Sequence, residues 1–297
     1  WTVGLNNIKP IPKGEKIEQT QEPLITSIAS GTHVSKIDVG DYHCLLMATM
    51  SGQVFAFGRG SFGELGNGER YEWVQDPTPI LMPPGEPVVC ISAGSNYSAV
   101  VGRSGSIYTF GSGAYYRLGI GTDEDCIIPT RIFALDGLGG PYEYLQSPAM
   151  SICCCGSWHT VAVVQETQDV YAWGWNKFGQ AGGSREEIIS QPRRISSLDS
   201  LLGDEEVIAV TCGSRHTALL TTTGRVIVLG RLGHSLPLPY SETDTIEEFQ
   251  GGEPRILPVE GRAVGISSAL WSLSVVSQQE ATMGYFTQMP PNSHQFS

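Results

Sequence analysis

Residues 152–183 read ICCCGSWHTVAVVQETQDVYAWGWNKFGQAGG. A short apolar strand enters Gly156. A hairpin follows with its turn at Gln168-Asp169, and its second arm, VYAWG, is β-branched and aromatic, as a half-buried strand should be. A Gly-rich corner comes next, then a polar connection ending in the proline-led strand Pro192-Arg193-Arg194-Ile195. The same order recurs at 36–68, 90–121 and 210–234, with anchor glycines Gly40, Gly94, Gly156 and Gly213 at intervals of 54, 62 and 57 residues. The other turns are Ser51-Gly52, Ser104-Gly105 and Thr223-Gly224, and the other second arms are VFAFG, IYTFG and VIVLG. Nothing sustains a 3.6-residue apolar period, so the chain reads as all-β. Four-stranded antiparallel units repeated radially are the blades of a β-propeller.

The ends extend the pattern. Trp1–Asn7 resembles a second hairpin arm and corner, and Ala263–Val276 resembles the first half of a unit. Joined, they make a composite blade from both termini that closes the ring and protects its edge strands. The expected organisation is one domain over 1–297, with units at about 28–85, 86–149, 150–205 and 206–260 and a composite blade of 261–297 plus 1–27. That counts five blades.

Composition agrees with short strands and tight turns: 36 Gly and 18 Pro in 297 residues, 40% apolar and only 16% charged. Disordered polyelectrolytes and coiled coils are thereby excluded. The apolar runs are far shorter than the roughly 20 residues a spanning helix needs. A formal charge of −12 without a dense Lys/Arg run makes naked nucleic acid a poor partner and a protein surface a better one. The seven cysteines include no CxxC pair, and Cys153, Cys154 and Cys155 cannot bridge to their neighbours without strain. Reduced thiols and an intracellular, nuclear or cytoplasmic setting are expected, with organelles left open. The chain opens at Trp1 without an initiator Met, a basic segment or a signal core, and reads as a processed product or an excised piece.

The sequence of anchor Gly, His three residues on, hairpin, aromatic-Gly and x-N-x-x-G-Q-L-G resembles the regulator of chromosome condensation repeat. Gly156-Ser157-Trp158-His159 through Trp173-Gly174-Trp175-Asn176-Lys177-Phe178-Gly179-Gln180 carries the resemblance, and Cys212-Gly213-Ser214-Arg215-His216-Thr217 supports it. The fourth unit departs at its corner, with Arg231-Leu232-Gly233-His234 in place of the Asn and Gln-Leu-Gly. The resemblance implies a propeller of up to seven blades.

Several motifs tempt a chemical reading. Gly58-Arg59-Gly60-Ser61-Phe62-Gly63 matches GxGxxG, yet Glu64-Leu65-Gly66-Asn67-Gly68 follows where a dinucleotide site needs a helix, so it reads as a blade corner. His43, His159 and His216 invite a metal. They share one repeat position in successive blades, with Tyr97 in the second, which spreads them around a ring; their expected role is to pin each blade's first turn by hydrogen bonds to backbone groups. The three consecutive cysteines alternate faces and read as small buried hydrophobes rather than a zinc site. Asn96-Tyr97-Ser98 is a formal glycosylation sequon that a reducing compartment would leave unused. No catalytic, cofactor-binding or metal-ligating residue is assigned, and Gly40, His43, Gly94, Gly156, His159, Gly213 and His216 are given structural roles.

Candidate partner-binding residues lie where the repeat is broken. Tyr71 and Trp73 sit in a polar corner; Tyr142 and Tyr144 in a Gly-rich excursion at 135–150; Tyr240, Glu247, Glu248 and Phe249 in an acidic connection. Aromatics in surface loops anchor partners, although loops also tolerate insertions that carry nothing. The function expected is a non-enzymatic protein–protein scaffold, a monomeric ring within a complex whose partner is a small GTPase or a regulatory enzyme. The resemblance adds two alternatives. One is guanine-nucleotide exchange on a small Ran-like GTPase, for which the 135–150 excursion is the candidate wedge. The other is association with nucleosomes.

Overall fold

The computed structural model describes residues 33–49, 51–135, 150–164, 166–183, 186–232, 253–278 and 283–286. Four antiparallel four-stranded sheets follow one another along the chain, each a meander in strict sequence order. The first contains β1 (Val34–Val39), β2 (His43–Ala48), β3 (Val54–Gly60) and β4 (Tyr71–Pro79). The second contains β5 (Val88–Ala93), β6 (Tyr97–Gly102), β7 (Ile107–Gly111) and β8 (Cys126–Arg131). The third contains β9 (Met150–Cys155), β10 (His159–Val164), β11 (Val170–Trp175) and β12 (Ile188–Arg194); the fourth β13 (Val207–Cys212), β14 (His216–Thr221), β15 (Val226–Gly230) and β16 (Arg255–Leu257). A fifth sheet has three strands: β17 (Arg262–Ser268), β18 (Leu273–Gln278) and β19 (Met283–Phe286).

The anticipated hairpin arms are β3, β7, β11 and β15, and the turns that join them are left-handed. Gly52, Gly105 and Gly224 have φ of +63°, +83° and +86°, and Gln168 holds the same region at +58°. The proline-led strands fall on β4, β8 and β12, the outer edges of their sheets, where a missing N–H costs no ladder bond.

The core lies between sheets. Leu45, Val54 and Ala56 of the first sheet pack with Ile91, Val100 and Phe110 of the second. Ala218, Leu220 and Val228 of the fourth pack with Ala263 and Val275 of the fifth. The first strands of successive sheets touch in order, β1 with β5, β5 with β9, β9 with β13 and β13 with β17. They are therefore the inner strands of a propeller. At the start of this series β1 leaves Val39 54% exposed, whereas β5 is buried almost throughout. In the fifth sheet the strand beside β18 is β19, the slot that the sequence pattern gave to Trp1–Asn7. Residues 1–7 lie outside the described residues.

Candidate functional site

The turn between the first and second strands of each sheet does two jobs. At its anchor, a side chain has no room. A Cβ on Gly40 would stand 2.2 Å from the Gly94 carbonyl oxygen, one on Gly94 2.7 Å from that of Gly156, one on Gly156 2.5 Å from that of Gly213, and one on Gly213 2.8 Å from that of Ala269. Each anchor is pressed against the next, so glycine here is a demand of inter-blade approach.

Three residues on, the imidazoles bridge blades. His43 Nε2 lies 2.7 Å from Ser98 Oγ, and His159 Nε2 lies 2.8 Å from Thr217 Oγ1. These hydroxyls donate back to the Glu64 and Gln180 carbonyls at 2.9 and 2.8 Å, so they accept from the imidazole N–H. Tyr97 reaches the same place in the second blade, donating to the His159 carbonyl at 2.6 Å, 3.0 Å from Thr160 Oγ1. His216 meets Ser268 Oγ at 2.9 Å. The partner is thus a hydroxyl of the neighbouring blade, not the backbone of the histidine's own turn as its local sequence implied. Burial favours the neutral ring and lowers the pKa to about 4 for His43 and His216, and to about 3 for His159, where the His216 charge adds to the effect.

The residues between anchor and imidazole point elsewhere. Those directly after the four anchors, Asp41, Ser95, Ser157 and Ser214, and Leu270, which follows Ala269 at the same place in the fifth sheet, line a single cavity of about 350 Å³, which places it at the axis. Ser95 Oγ donates to the Asp41 carboxylate across the first seam. The next residues in the turns add Trp158, Arg215 and Trp271, and the corners add Tyr115 and Trp175. Rings and guanidinium groups interleave around this mouth. Tyr115 stands edge-on to Trp158 at 5.2 Å and Trp175 edge-on to Phe178 at 5.4 Å. Arg215, which lines the cavity, lies 4.8 Å from the Phe178 ring and 4.6 Å from that of Trp271; away from the lining, Arg59 lies 5.2 and 5.3 Å from Tyr42 and Phe62. Tyr115 and Trp271 remain 46% and 51% exposed, a high value for rings this large.

The corner that presents Tyr115 is strained. Tyr115 and Tyr116 are both left-handed, with φ of +61° and +59°. The corners of the first and third blades put Gly63 and Gly179 where Tyr116 stands. A non-glycine residue there costs about 1–2 kcal/mol, and such strain gathers at functional sites.

Among the described residues, no group of three or more His, Cys, Asp and Glu is placed to hold a metal ion. All seven cysteines are free thiols, and Cys153 and Cys155 are buried while Cys154 is half-buried, following the alternation. The GxGxxG stretch runs from β3 into a turn that continues toward β4 without a helix, with Gly58 and Gly63 at φ of +107° and +92°. Asn96 is a left-handed turn residue, φ +71°. No helix of the described residues is long and apolar enough to cross a membrane.

Three segments of the chain match the model of the regulator of chromosome condensation (RCC1) repeat, at residues 51–101, 104–163 and 169–220, and a second model of the same repeat matches 151–180. Together they take in more than half of the chain. It belongs to the RCC1 repeat family. The chain is 32% identical over 238 residues to the mouse E3 ubiquitin-protein ligase HERC2, covering 77% of this chain and 5% of that protein. It is 30% identical over 204 residues to the Arabidopsis thaliana ultraviolet-B receptor UVR8, covering 69% and 42%. It therefore spans less than half the length of either relative. The fold is shared with human WBSCR16, TM-score 0.67 at 19% identity over 85% of this chain and 60% of that one. Prp20p from Saccharomyces cerevisiae follows, TM-score 0.65 at 18% identity over 84% and 57%.

An RCC1 repeat is out of phase with a blade. The first matched segment starts at the turn before β3 and ends inside β6, so each repeat supplies the outer half of one blade and the inner half of the next. Of the partner-binding candidates, Tyr71 and Trp73 lie on the outer strand β4 rather than in a corner, Tyr71 exposed and Trp73 half-buried, and Tyr71 donates to Glu69. Neither lines the axial cavity. Tyr142, Tyr144, Tyr240, Glu247, Glu248 and Phe249, with most of the 135–150 excursion, lie outside the described residues. No contiguous motif marks the axial cluster. The signal is in reading down the RCC1 repeats, where the second residue after each anchor is Tyr42, Asn96, Trp158, Arg215 and Trp271.

Proposed function

We propose that the chain is a non-enzymatic scaffold that holds a protein partner on the axial mouth. The observation that carries the reading is the set of rings around one cavity, Tyr115 and Trp271 exposed and Trp158 and Trp175 half-buried, with Arg215 against Trp271, because Trp, Tyr and Arg dominate binding energy where proteins meet. A second reading, exchange on a small GTPase or association with histones, draws on the likeness to Prp20p, which is described with its binding to Gsp1p and histones.

The test is capture from lysate by the purified chain, with Mg²⁺ and with EDTA, beside a Trp158→Ala/Trp271→Ala variant. A partner held in both conditions and lost by the variant, with unchanged melting, is the expected result. Capture indifferent to both tryptophans removes the mouth as the interface. A GTPase held only in EDTA, followed by accelerated release of labelled GDP, supports exchange instead.

A further inference from the structure

We infer that the axial cavity seats one carboxylate side chain of an extended partner segment, taken in the plane of the Arg215 guanidinium. The inference rests on the reading of the mouth as a protein interface and names what that interface recognises. Three arginines stack on rings of this face, and their hydrogen bonds differ. Arg117 lies 4.5 Å over Trp158, is buried, and donates to the carbonyls of Ala114, Ser95 and Ser157 at 2.7, 2.9 and 3.1 Å. Arg59 donates from Nε to Ser61 Oγ at 3.2 Å. Arg215 is covered by Phe178 and Trp271, yet its Nε is buried with no hydrogen-bond partner, and among the described residues no carboxylate pairs with it. With two rings against it, the guanidinium keeps unpaired N–H donors in a planar fork that matches the two oxygens of a carboxylate. Arg215 as a whole is half-buried, so a carboxylate meets it partly out of water, where a charge-assisted hydrogen bond is stronger than on open surface.

The rest of the cavity selects the class of anion. Asp41 lines it from the first sheet, so the cavity walls carry one cation and one carboxylate. A phosphate carries about −1.5 to −2 charges at pH 7 and would bring more charge than a single guanidinium offsets, beside an existing anion. An Asp or Glu side chain brings one. Trp158, Trp175 and Leu270 are apolar walls for the residues on either side of it. The occupant is therefore a short acidic–apolar stretch, such as Leu-Glu-Leu.

The experiment is fluorescence polarisation of the full chain with three labelled pentapeptides: Gly-Leu-Glu-Leu-Gly, its Gln counterpart and its phosphoserine counterpart. The expected result is that the Glu peptide binds at least tenfold tighter than the other two, a difference of about 1.4 kcal/mol. Arg215→Gln removes the discrimination, Arg215→Lys restores part of it, and Trp271→Ala weakens the Glu and Gln peptides alike, with melting followed for each variant. Equal affinity for Glu and Gln, tighter binding of phosphoserine, discrimination that survives Arg215→Gln, or no binding by any peptide would each overturn the inference. So would self-association lost on Trp271→Ala while all three peptides bind alike, which assigns the face to a second copy. A natural partner lost with Trp158→Ala/Trp271→Ala but kept with Arg215→Gln leaves the interface standing and removes the carboxylate seat alone.

Discussion

Trp158 and His159 are neighbours in one turn, as are Arg215 and His216 in the next, and within each pair the two side chains do opposite things. The imidazoles face the seam between blades, fully buried, each bonded to a hydroxyl of the next blade; for His159 that hydroxyl, Thr217, is itself bonded to the Gln180 carbonyl in the preceding blade's corner. The tryptophan and the arginine face the axial mouth, where rings stand exposed and a guanidinium edge has no acceptor. Arg117 and Arg215 show the same division in one residue type, the first satisfied by three carbonyls and the second by none. Polar groups satisfied within the chain hold the blades together; those left open are available to something else.

The division is most sharply tested at the seam. Gly156→Ala puts a Cβ 2.5 Å from the Gly213 carbonyl and 2.7 Å from the His159 ring, and should cost about 3 kcal/mol or more. Urea unfolding measures it, and a melting curve like wild type would mean the blades do not meet as closely as described. Acid comes next. Because the folded-state pKa values of about 4, 3 and 4 for His43, His159 and His216 lie below the ordinary 6.5, the imidazole contribution is complete above pH 6.5 and is lost as pH falls toward 4. Stability constant across that range would show that the rings are not buried neutral donors. Thr217→Val keeps the shape but strands the His159 N–H and the Gln180 carbonyl, for an expected loss of about 1–3 kcal/mol.

Glu64 runs the other way. It takes the place of Gln180 in its blade, fully buried, with Oε2 accepting from the Phe62 N–H at 2.7 Å and Oε1 bonded to nothing. Burial raises its pKa above the usual 4.5, so ionisation at neutral pH works against the fold. Glu64→Gln should stabilise the fold at pH 7, with the gain shrinking toward pH 4; destabilisation at pH 7 would indicate a partner for that carboxylate. The smallest effect is reserved for the mouth. Arg215→Gln and Trp271→Ala should each leave stability within about 0.5 kcal/mol of wild type. A larger loss would make the mouth part of the seam and erase the contrast.

Sequence reasoning reached the blades because their signals are local. Ser51-Gly52, Ser104-Gly105 and Thr223-Gly224 mark left-handed hairpin turns, the arms beside them alternate, and the prolines mark outer strands. The partners of the histidines are not legible locally, since Ser98 and Thr217 stand 55 and 58 residues further along the chain. The axial mouth was hidden for the same reason. Its members come from five turns, and no turn alone looks unlike a turn. Insertions such as those holding Tyr142 and Tyr144 stand out in the sequence because they break the repeat, whereas Trp158, Arg215 and Trp271 obey it and do not.

The phase of the repeat against the blade bears on how such a chain can lengthen. Because the matched unit 104–163 begins at the turn before β7 and ends within β10, a tandem duplication of it would supply β7–β8 for one blade and the inner strands for another. Every sheet would still be completed by its neighbour in the gene, and no intermediate in such a history would carry an unpaired half-blade between complete ones. A copy added in this phase would bring its own anchor glycine and seam imidazole or hydroxyl with it, and a further residue for the axial mouth.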